Sequence, residues 1–229
     1  MNPTRFGPTE AEFVPDEVHL WEAAYSRFET PNEEIRKFRR RLIALGIPQF
    51  PKDAHVVELF CGRGNGLEAL AQLGFLRIEG VDLSSRLLKQ YKGFGACYVA
   101  DCRQLPFADH TKDMLIVQGG LHHLSSLPAD LEQVLSEARR VLRKTGRLVV
   151  VEPWLTPFLR FVHALCGWSF CRALYGKLDA LAVMIEYEHD TYFQWLQAPE
   201  LILRVIREHF EPHYLSTGWG KLSFVGKPK

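Results

Sequence analysis

The sequence is short of several things at once. Only 5 of its 229 residues are cysteine, with no Cys-x-x-Cys pair and no Cys/His spacing of a zinc site. Neither a disulfide framework nor a bound metal is therefore expected. An excess of one charge is also missing: 28 basic against 27 acidic side chains leave a formal net charge of +1. That balance argues against nucleic acid as a partner. Glycine (17) and proline (13) are scattered, which excludes a low-complexity or collagen-like chain. No apolar run reaches the roughly 18 residues of a membrane span. The most apolar stretch, Trp154 to Phe170, is interrupted by Pro157, Arg160, His163 and Gly167, and at most suggests peripheral contact with a membrane surface. The opening MNPTRFGPTEAEF places acids and prolines where a secretory signal needs a basic and then an apolar run, so a cytoplasmic location is expected.

What is present is a globular composition, 47% hydrophobic and 24% charged, with length for one domain or slightly more. Two helices are predicted within residues 1–50, as an N-terminal cap. Asp16 caps the first, whose Val18, Leu20, Trp21, Tyr25 and Phe28 form an aromatic-rich stripe. The second opens on a capping box, with Thr30 as N-cap, Pro31 at the first helical position and Glu33 three residues after the cap. Ile35, Phe38, Leu42 and Leu45 line its apolar face, and Gly46 with Pro48 ends it. The basic residues Arg36, Lys37, Arg39, Arg40 and Arg41 read as a solvated face.

From His55 onward strands and helices alternate: HVVELF, a glycine turn, GLEALAQL, RIEGVDLS, SSRLLKQYK, CYVADC, DMLIVQGG, then PADLEQVLSEARRVLR and RLVVVEP. Such alternation builds a parallel sheet with helices on both faces, because parallel neighbours need crossover connections. The rhythm breaks over 153–197, a helical, aromatic-rich insert too long for a connector. It resumes with a helix near Pro199 to His209 and two strands, HYLSTG and KLSFVG, close enough to pair antiparallel. The expected fold is a doubly wound, mostly parallel seven-stranded α/β sheet over 51–229, with an antiparallel C-terminal strand, an N-terminal helical cap and a helical insert after the fifth strand.

Three consecutive strand ends carry ligand chemistry. The first ends in Glu58-Leu59-Phe60-Cys61-Gly62-Arg63-Gly64, where glycines allow close backbone approach. The second ends in Asp82-Leu83-Ser84, an acid placed to take both hydroxyls of a ribose. The third ends in Asp101-Cys102, a carboxylate and a backbone N–H able to address an adenine edge. The Gly-Lys-Ser/Thr ending of a P-loop is absent, which disfavours a nucleoside triphosphate. Glu58 has the wrong sign of charge for the pyrophosphate of a dinucleotide, so a nicotinamide oxidoreductase is disfavoured, and an acid there suits a cationic group.

These segments resemble the class I S-adenosylmethionine-dependent methyltransferases, within them the subgroup with an Asp-x-x-x-Leu-Pro-Phe segment. The resemblance covers roughly Val56 to Pro153, through VVELFCGRGNG, VDLS, ADCRQLPFAD, DMLIVQGGLHHL and ARRVLRKTGRLVVVEP. It departs at Phe60, where the family commonly has glycine. The resemblance implies S-adenosyl-L-methionine as cofactor. Glu58, Cys61, Gly62 and Gly64 would hold its amino-acid end, Asp82 the ribose, Leu83 the adenine face, and Asp101 with Cys102 the adenine edge. Gln118 would line the methionine channel, and Tyr25 would close over the cofactor.

The chemistry needed is an in-line approach of the acceptor at about 3–3.5 Å with water excluded. A general base is needed if the acceptor loses a proton, and His123, after the fourth strand, is the candidate, with His122 beside it. The aromatics of the insert (Trp154, Phe158, Phe161, Trp168, Phe170, Tyr175), followed by Tyr187 and Glu188, are expected to wall a small apolar or lipid-like acceptor. Trp154, Phe158, Tyr187 and Glu188 are its candidate contacts, and oxygen is the expected attacked atom. The rival reading is a non-catalytic binding or scaffolding protein of the same fold, with Phe60 filling a degenerate pocket. Asp82→Ala is expected to weaken cofactor binding by roughly 1.5–3 kcal/mol, the worth of hydrogen bonds to a charged group. Calorimetry checks this, and unchanged affinity refutes the ribose assignment.

Overall fold

The computed structural model describes residues 23–229. Asp16, Val18, Leu20 and Trp21 of the first expected helix lie outside them. The described part of that helix, α1, covers 23–28. Helix α2 (Pro31–Ala44) begins on the capping box: Glu33 N donates to Thr30 Oγ1 at 3.3 Å, and Thr30 N donates to the Glu33 carboxylate at 2.9 Å. Each bond satisfies an amide that the helix leaves open at its start.

The alternating segment builds β1 (His55–Leu59), α3 (Asn65–Gln72), β2 (Arg77–Asp82), α4 (Ser85–Leu88), β3 (Ala96–Val99), β4 (Lys112–Gln118), α5 (Ala129–Val141) and β5 (Leu142–Pro153). Helices α6 (Pro157–Cys166), α7 (Ser169–Leu174), α8 (Gly176–Tyr187) and α9 (His189–Gln197) follow. Helix α10 (Pro199–His209), β6 (Phe210–Gly218) and β7 (Lys221–Pro228) complete the chain. The seven strands lie in the order β3-β2-β1-β4-β5-β7-β6, parallel except for β7, which is antiparallel to both of its neighbours. Core clusters on the two faces hold the sheet against its helices, one around Leu115, Val150 and Trp195, the other around Leu42, Phe75 and Met114. Trp195 ties the insert to the sheet by donating from its indole N–H to Pro153 O at 2.9 Å.

Three boundaries differ from the sequence reading. The helix expected over SSRLLKQYK stops at Leu88, because Tyr91 folds back over the glycine turn and its hydroxyl accepts from Gly95 N at 3.2 Å. The third strand ends at Val99, so Asp101 and Cys102 stand beyond the ladder, although Ala100 N still donates to Asp82 O at 3.1 Å. The long helix ends at Val141, since Leu142 already pairs with Lys112 in the sheet.

Phe60 stands at the bend after β1 with φ of 56°, in the left-handed region that favours glycine. That conformation costs a residue with a side chain about 1–2 kcal/mol. Room for its ring comes from Gly120, where a Cβ would sit 2.3 Å from Phe60 Cγ. The side chain absent from Gly120 is thus replaced by one present at Phe60. Gly120→Ala is expected to destabilise the fold by roughly 1–3 kcal/mol through overpacking. Phe60→Gly in the same chain should recover most of that loss in urea denaturation, whereas an equal cost in both backgrounds would exclude the contact as the cause.

Candidate functional site

The site is built on the carboxyl edge of the sheet. Glu58, near the tip of β1, is 2% exposed, and only its Oε1 has a partner, Gln118 Nε2 at 3.4 Å from the end of β4. Among the described residues, Glu58 Oε2 and Gln118 Oε1 are both buried with no hydrogen-bond partner. Burial pushes the Glu58 carboxyl up to about 8, against the opposing effect of the Gln118 bond. The carboxylate fits there because residue 66 is glycine: a Cβ would lie 1.8 Å from Glu58 Oε1. The turn between β1 and α3 passes through Gly62 (φ 51°) and Gly64 (φ 80°). Asp82 pins this turn by accepting from Gly62 N at 2.8 Å and from Ser84 N at 2.8 Å.

Helices α1 and α2 close one side. The Tyr25 hydroxyl donates to the Glu34 carboxylate, which also accepts from Asn65 Nδ2 at 2.6 Å. Arg63 lies 4.7 Å from the Tyr25 ring and 3.4 Å from Glu34, so Tyr25 reaches the glycine turn through Glu34.

On the other side Glu152, 1% exposed in β5, organises the turn after β4. It accepts from Gly120 N and Leu121 N, each at 2.8 Å, and its second oxygen lies 2.8 Å from His122 Nδ1. His122 Nε2 lies 3.7 Å from Glu188 at the end of α8. Burial alone would lower the His122 pKa, but the hydrogen bonds to Glu152 and Glu188 and their charges raise it to about 9. His122 is therefore a cation held between two carboxylates.

The two adjacent histidines, of which His123 is the expected base, are placed differently, though His123 Nδ1 also lies 3.7 Å from Glu188. Residues 121–123 form one 3-10 turn, in which successive side chains point about 120° apart. His122 faces the cavity while the His123 side chain stays 40% exposed outside its lining. Desolvation and the His122 charge hold His123 below the usual imidazole range.

The cavity has a volume of about 1110 Å³ and runs from the glycine turn to the insert. Of the candidate site residues, Tyr25, Glu58, Cys61, Gly62, Asp82, Gln118, Phe158 and Glu188 line it. Gly64, Leu83, Asp101, Cys102, Trp154 and Tyr187 do not. Leu83 is 65% exposed, Cys102 and Trp154 are buried in the core, and Tyr187 points outward. Asp101 accepts from Arg103 Nε and a terminal guanidinium nitrogen at 3.1 and 2.7 Å, because its strand has already ended and the carboxylate folds onto its own loop. Of the insert aromatics, Phe158, Phe161 and Tyr175 reach the cavity, whereas Trp168 and Phe170 stay on the outer surface. Sequence reasoning missed Glu152, whose signal was an acid closing the β-branched run VVVEP, and the inward turn of Lys37 and Arg41, which share a helix face at i and i+4.

Comparison with known proteins places this geometry. Residues 57–150 match the family described as methyltransferase domain. An uncharacterized protein of Methanocaldococcus jannaschii is 33% identical over 182 residues, covering 74% of this chain and 75% of that one. Over residues 57–150 the chain is thus similar to methyltransferase domains, and it shares its fold with a solved putative S-adenosylmethionine-dependent methyltransferase of Methanococcus maripaludis (TM-score 0.61 at 14% identity over 97% of this chain and 98% of that one). A demethylmenaquinone methyltransferase of Thermotoga maritima is 36% identical over 121 residues, 51% of this chain and half of that relative's length. The solved PH0226 protein of Pyrococcus horikoshii has the same fold, with a TM-score of 0.68 at 20% identity over 91% of this chain and 98% of that one.

The residues of this cavity fit S-adenosylmethionine, the cofactor that the resemblance implies. Two orphaned buried acceptors, Glu58 Oε2 and Gln118 Oε1, suit an ammonium group, and Gly66 keeps the space beside them open. An ammonium beside Glu58 lowers its pKa from about 8, so binding at pH 7 should release protons. Calorimetry in buffers of different ionisation enthalpy reads this release. Glu58→Gln is expected to abolish it and to weaken S-adenosylmethionine binding by roughly 1.5–3 kcal/mol.

Proposed function

We propose that the protein transfers a methyl group from S-adenosylmethionine to a carbon atom of a small, largely apolar acceptor. The observation that carries this reading is one continuous cavity. It joins the orphaned Glu58 and Gln118 acceptors to a wall of Phe158, Leu159, Val162, Leu178, Leu181 and Ile185. Sequence reasoning favoured oxygen as nucleophile. The Thermotoga relative is named for demethylmenaquinone, and a relative from Geotalea uraniireducens, 29% identical over 150 residues, is named a ubiquinone/menaquinone C-methyltransferase, which supports carbon.

The cofactor supplies an electrophilic methyl on sulfur with a thioether as leaving group. Glu58 and Gln118 receive its amino-acid end and Asp82 its ribose; Asp101 joins them at the adenine edge if Arg103 shares the carboxylate. His122, charged and fixed by Glu152, donates a hydrogen bond to an oxygen of the acceptor and holds the negative charge that makes the neighbouring carbon nucleophilic. Glu188 takes the proton that this oxygen loses; the carbon–methyl bond forms as the sulfur–methyl bond breaks, and Glu188 then returns a proton to the oxygen as the attacked carbon releases its own proton to solvent. The insert helices exclude water from the reacting centre. His123 has no part in this scheme.

The test supplies labelled methyl donor with a panel of quinols, phenols and prenylated rings, and reads the product by carbon NMR. A C–CH3 resonance is expected; an O–CH3 resonance moves the assignment to oxygen, and no heat on titrating the cofactor at about 100 μM overturns the enzyme reading in favour of a scaffold. His122 acts in its protonated form, so activity should fall as pH rises through about 9. His122→Gln should lower kcat about 10²–10⁴-fold and remove that alkaline limb.

A further inference from the structure

The end of the cavity between α2 and β7 carries more positive charge than an apolar acceptor explains. Lys37 and Arg41, one turn apart on α2, and Lys221, the first residue of β7, all line it. Arg36, Arg39 and Arg40 of the same helix stay in solvent, so only the two basic residues at i and i+4 turn inward. The carboxylates nearby leave Arg41 and Lys221 uncompensated, Glu29 being taken up by Lys37 itself and the others by groups outside this pole. Glu29 pairs with Lys37, Glu34 with Tyr25, Asn65 and Arg63, and Glu152 with His122 and two backbone amides. Lys177, on the same wall, is paired with Glu33. Arg41 and Lys221 have no ion pair among the described residues. Arg41 Nε is buried without a hydrogen-bond partner, and its guanidinium rests 5.6 Å from the Phe38 ring.

Like charges brought together under a partly buried wall cost free energy unless a counter-charge joins them. The strain shows in the groups themselves. Desolvation, with the charges of Arg41 and Lys37, presses the Lys221 ammonium down to about 8, and desolvation likewise lowers Lys37 and Arg41. The basic pole adjoins the apolar wall directly. Trp219, two residues before Lys221, packs edge-on against Phe158 at 5.3 Å, and Gly220 N donates to Thr156 Oγ1 at 3.0 Å at the start of α6.

We infer that Arg41 and Lys221, with the Glu29-paired Lys37 beside them, form an oxyanion subsite within the acceptor pocket, so that the acceptor carries a carboxylate or phosphate at one end of an apolar body. The inference rests on the methyltransferase reading only for calling this molecule the acceptor; the subsite itself is independent of it. A guanidinium and an ammonium suit either group: the guanidinium binds two oxygens at once, and the Lys221 ammonium adds a point charge.

The test titrates three ten-carbon probes, decanoate, decyl phosphate and the neutral decanol, into the protein with and without S-adenosylhomocysteine. Both anions are expected to bind at least about tenfold more tightly than decanol, with the advantage shrinking as salt rises. The tighter anion identifies the group. Lys221→Met and Arg41→Met should each weaken the anions about tenfold and leave decanol unchanged, and Lys221→Arg should retain the anions. Equal affinity for all three probes, or a variant that weakens all three alike, overturns the subsite. Should S-adenosylhomocysteine give no heat while the anions still discriminate, the subsite stands and the methyltransferase reading falls. If Arg41→Met fails to fold, the Lys221 variants at the strand end decide alone.

Discussion

Parallel pairing of β1, β4 and β5 brings their carboxyl ends side by side, and most of the charged groups of the site stand on that edge. Glu58, Gln118 and Glu152 belong to three neighbouring strands, each buried by its own ladder and by helices on both faces. A polar group held in that position is expensive unless it finds a partner. Glu152 finds three, two backbone amides and His122, and becomes a fixed point of the structure. Glu58 finds only one weak partner and keeps an oxygen unsatisfied. The contrast separates a structural carboxylate from one reserved for a ligand.

The same edge explains how a chain with phenylalanine in place of the family's glycine after β1 keeps an open cavity. Phe60 takes up the left-handed conformation a glycine would adopt, and its ring enters the gap over Gly120. The glycine turn behind it retains its conformation, pinned to Asp82. The reading that Phe60 blocks the pocket loses its force, because the bulk has a defined place beside the cavity.

Charge divides the cavity into zones. Near the glycine turn the orphaned carboxyl and amide oxygens await a cation, and near α2 and β7 the basic side chains await an anion. The insert contributes the apolar wall between them and, through Glu188, the second carboxylate on His122. A cofactor ammonium answers the first zone, and an acceptor apolar in its middle and anionic at one end answers the other two.

Local pattern alone determined the alternation of strands and helices, the capping box at Thr30 and the strand-tip residues Glu58, Asp82 and Gln118, because period and turn chemistry act over a few residues. Which of two adjacent histidines faces inward was not legible, since a single step around a 3-10 turn reverses the answer. Asp101 was legible as a strand-end acid, but not its capture by Arg103, which depends on where the strand releases the chain. The meeting of Lys37, Arg41 and Lys221 was beyond reach as well: 180 residues separate Arg41 from Lys221, and only the packing of α2 and β7 around one cavity makes them neighbours. Sequence settles what each segment is, because backbone and side-chain preferences are local. Tertiary structure settles which charges face one another, because burial and Coulomb forces act on distance in space and not on distance along the chain.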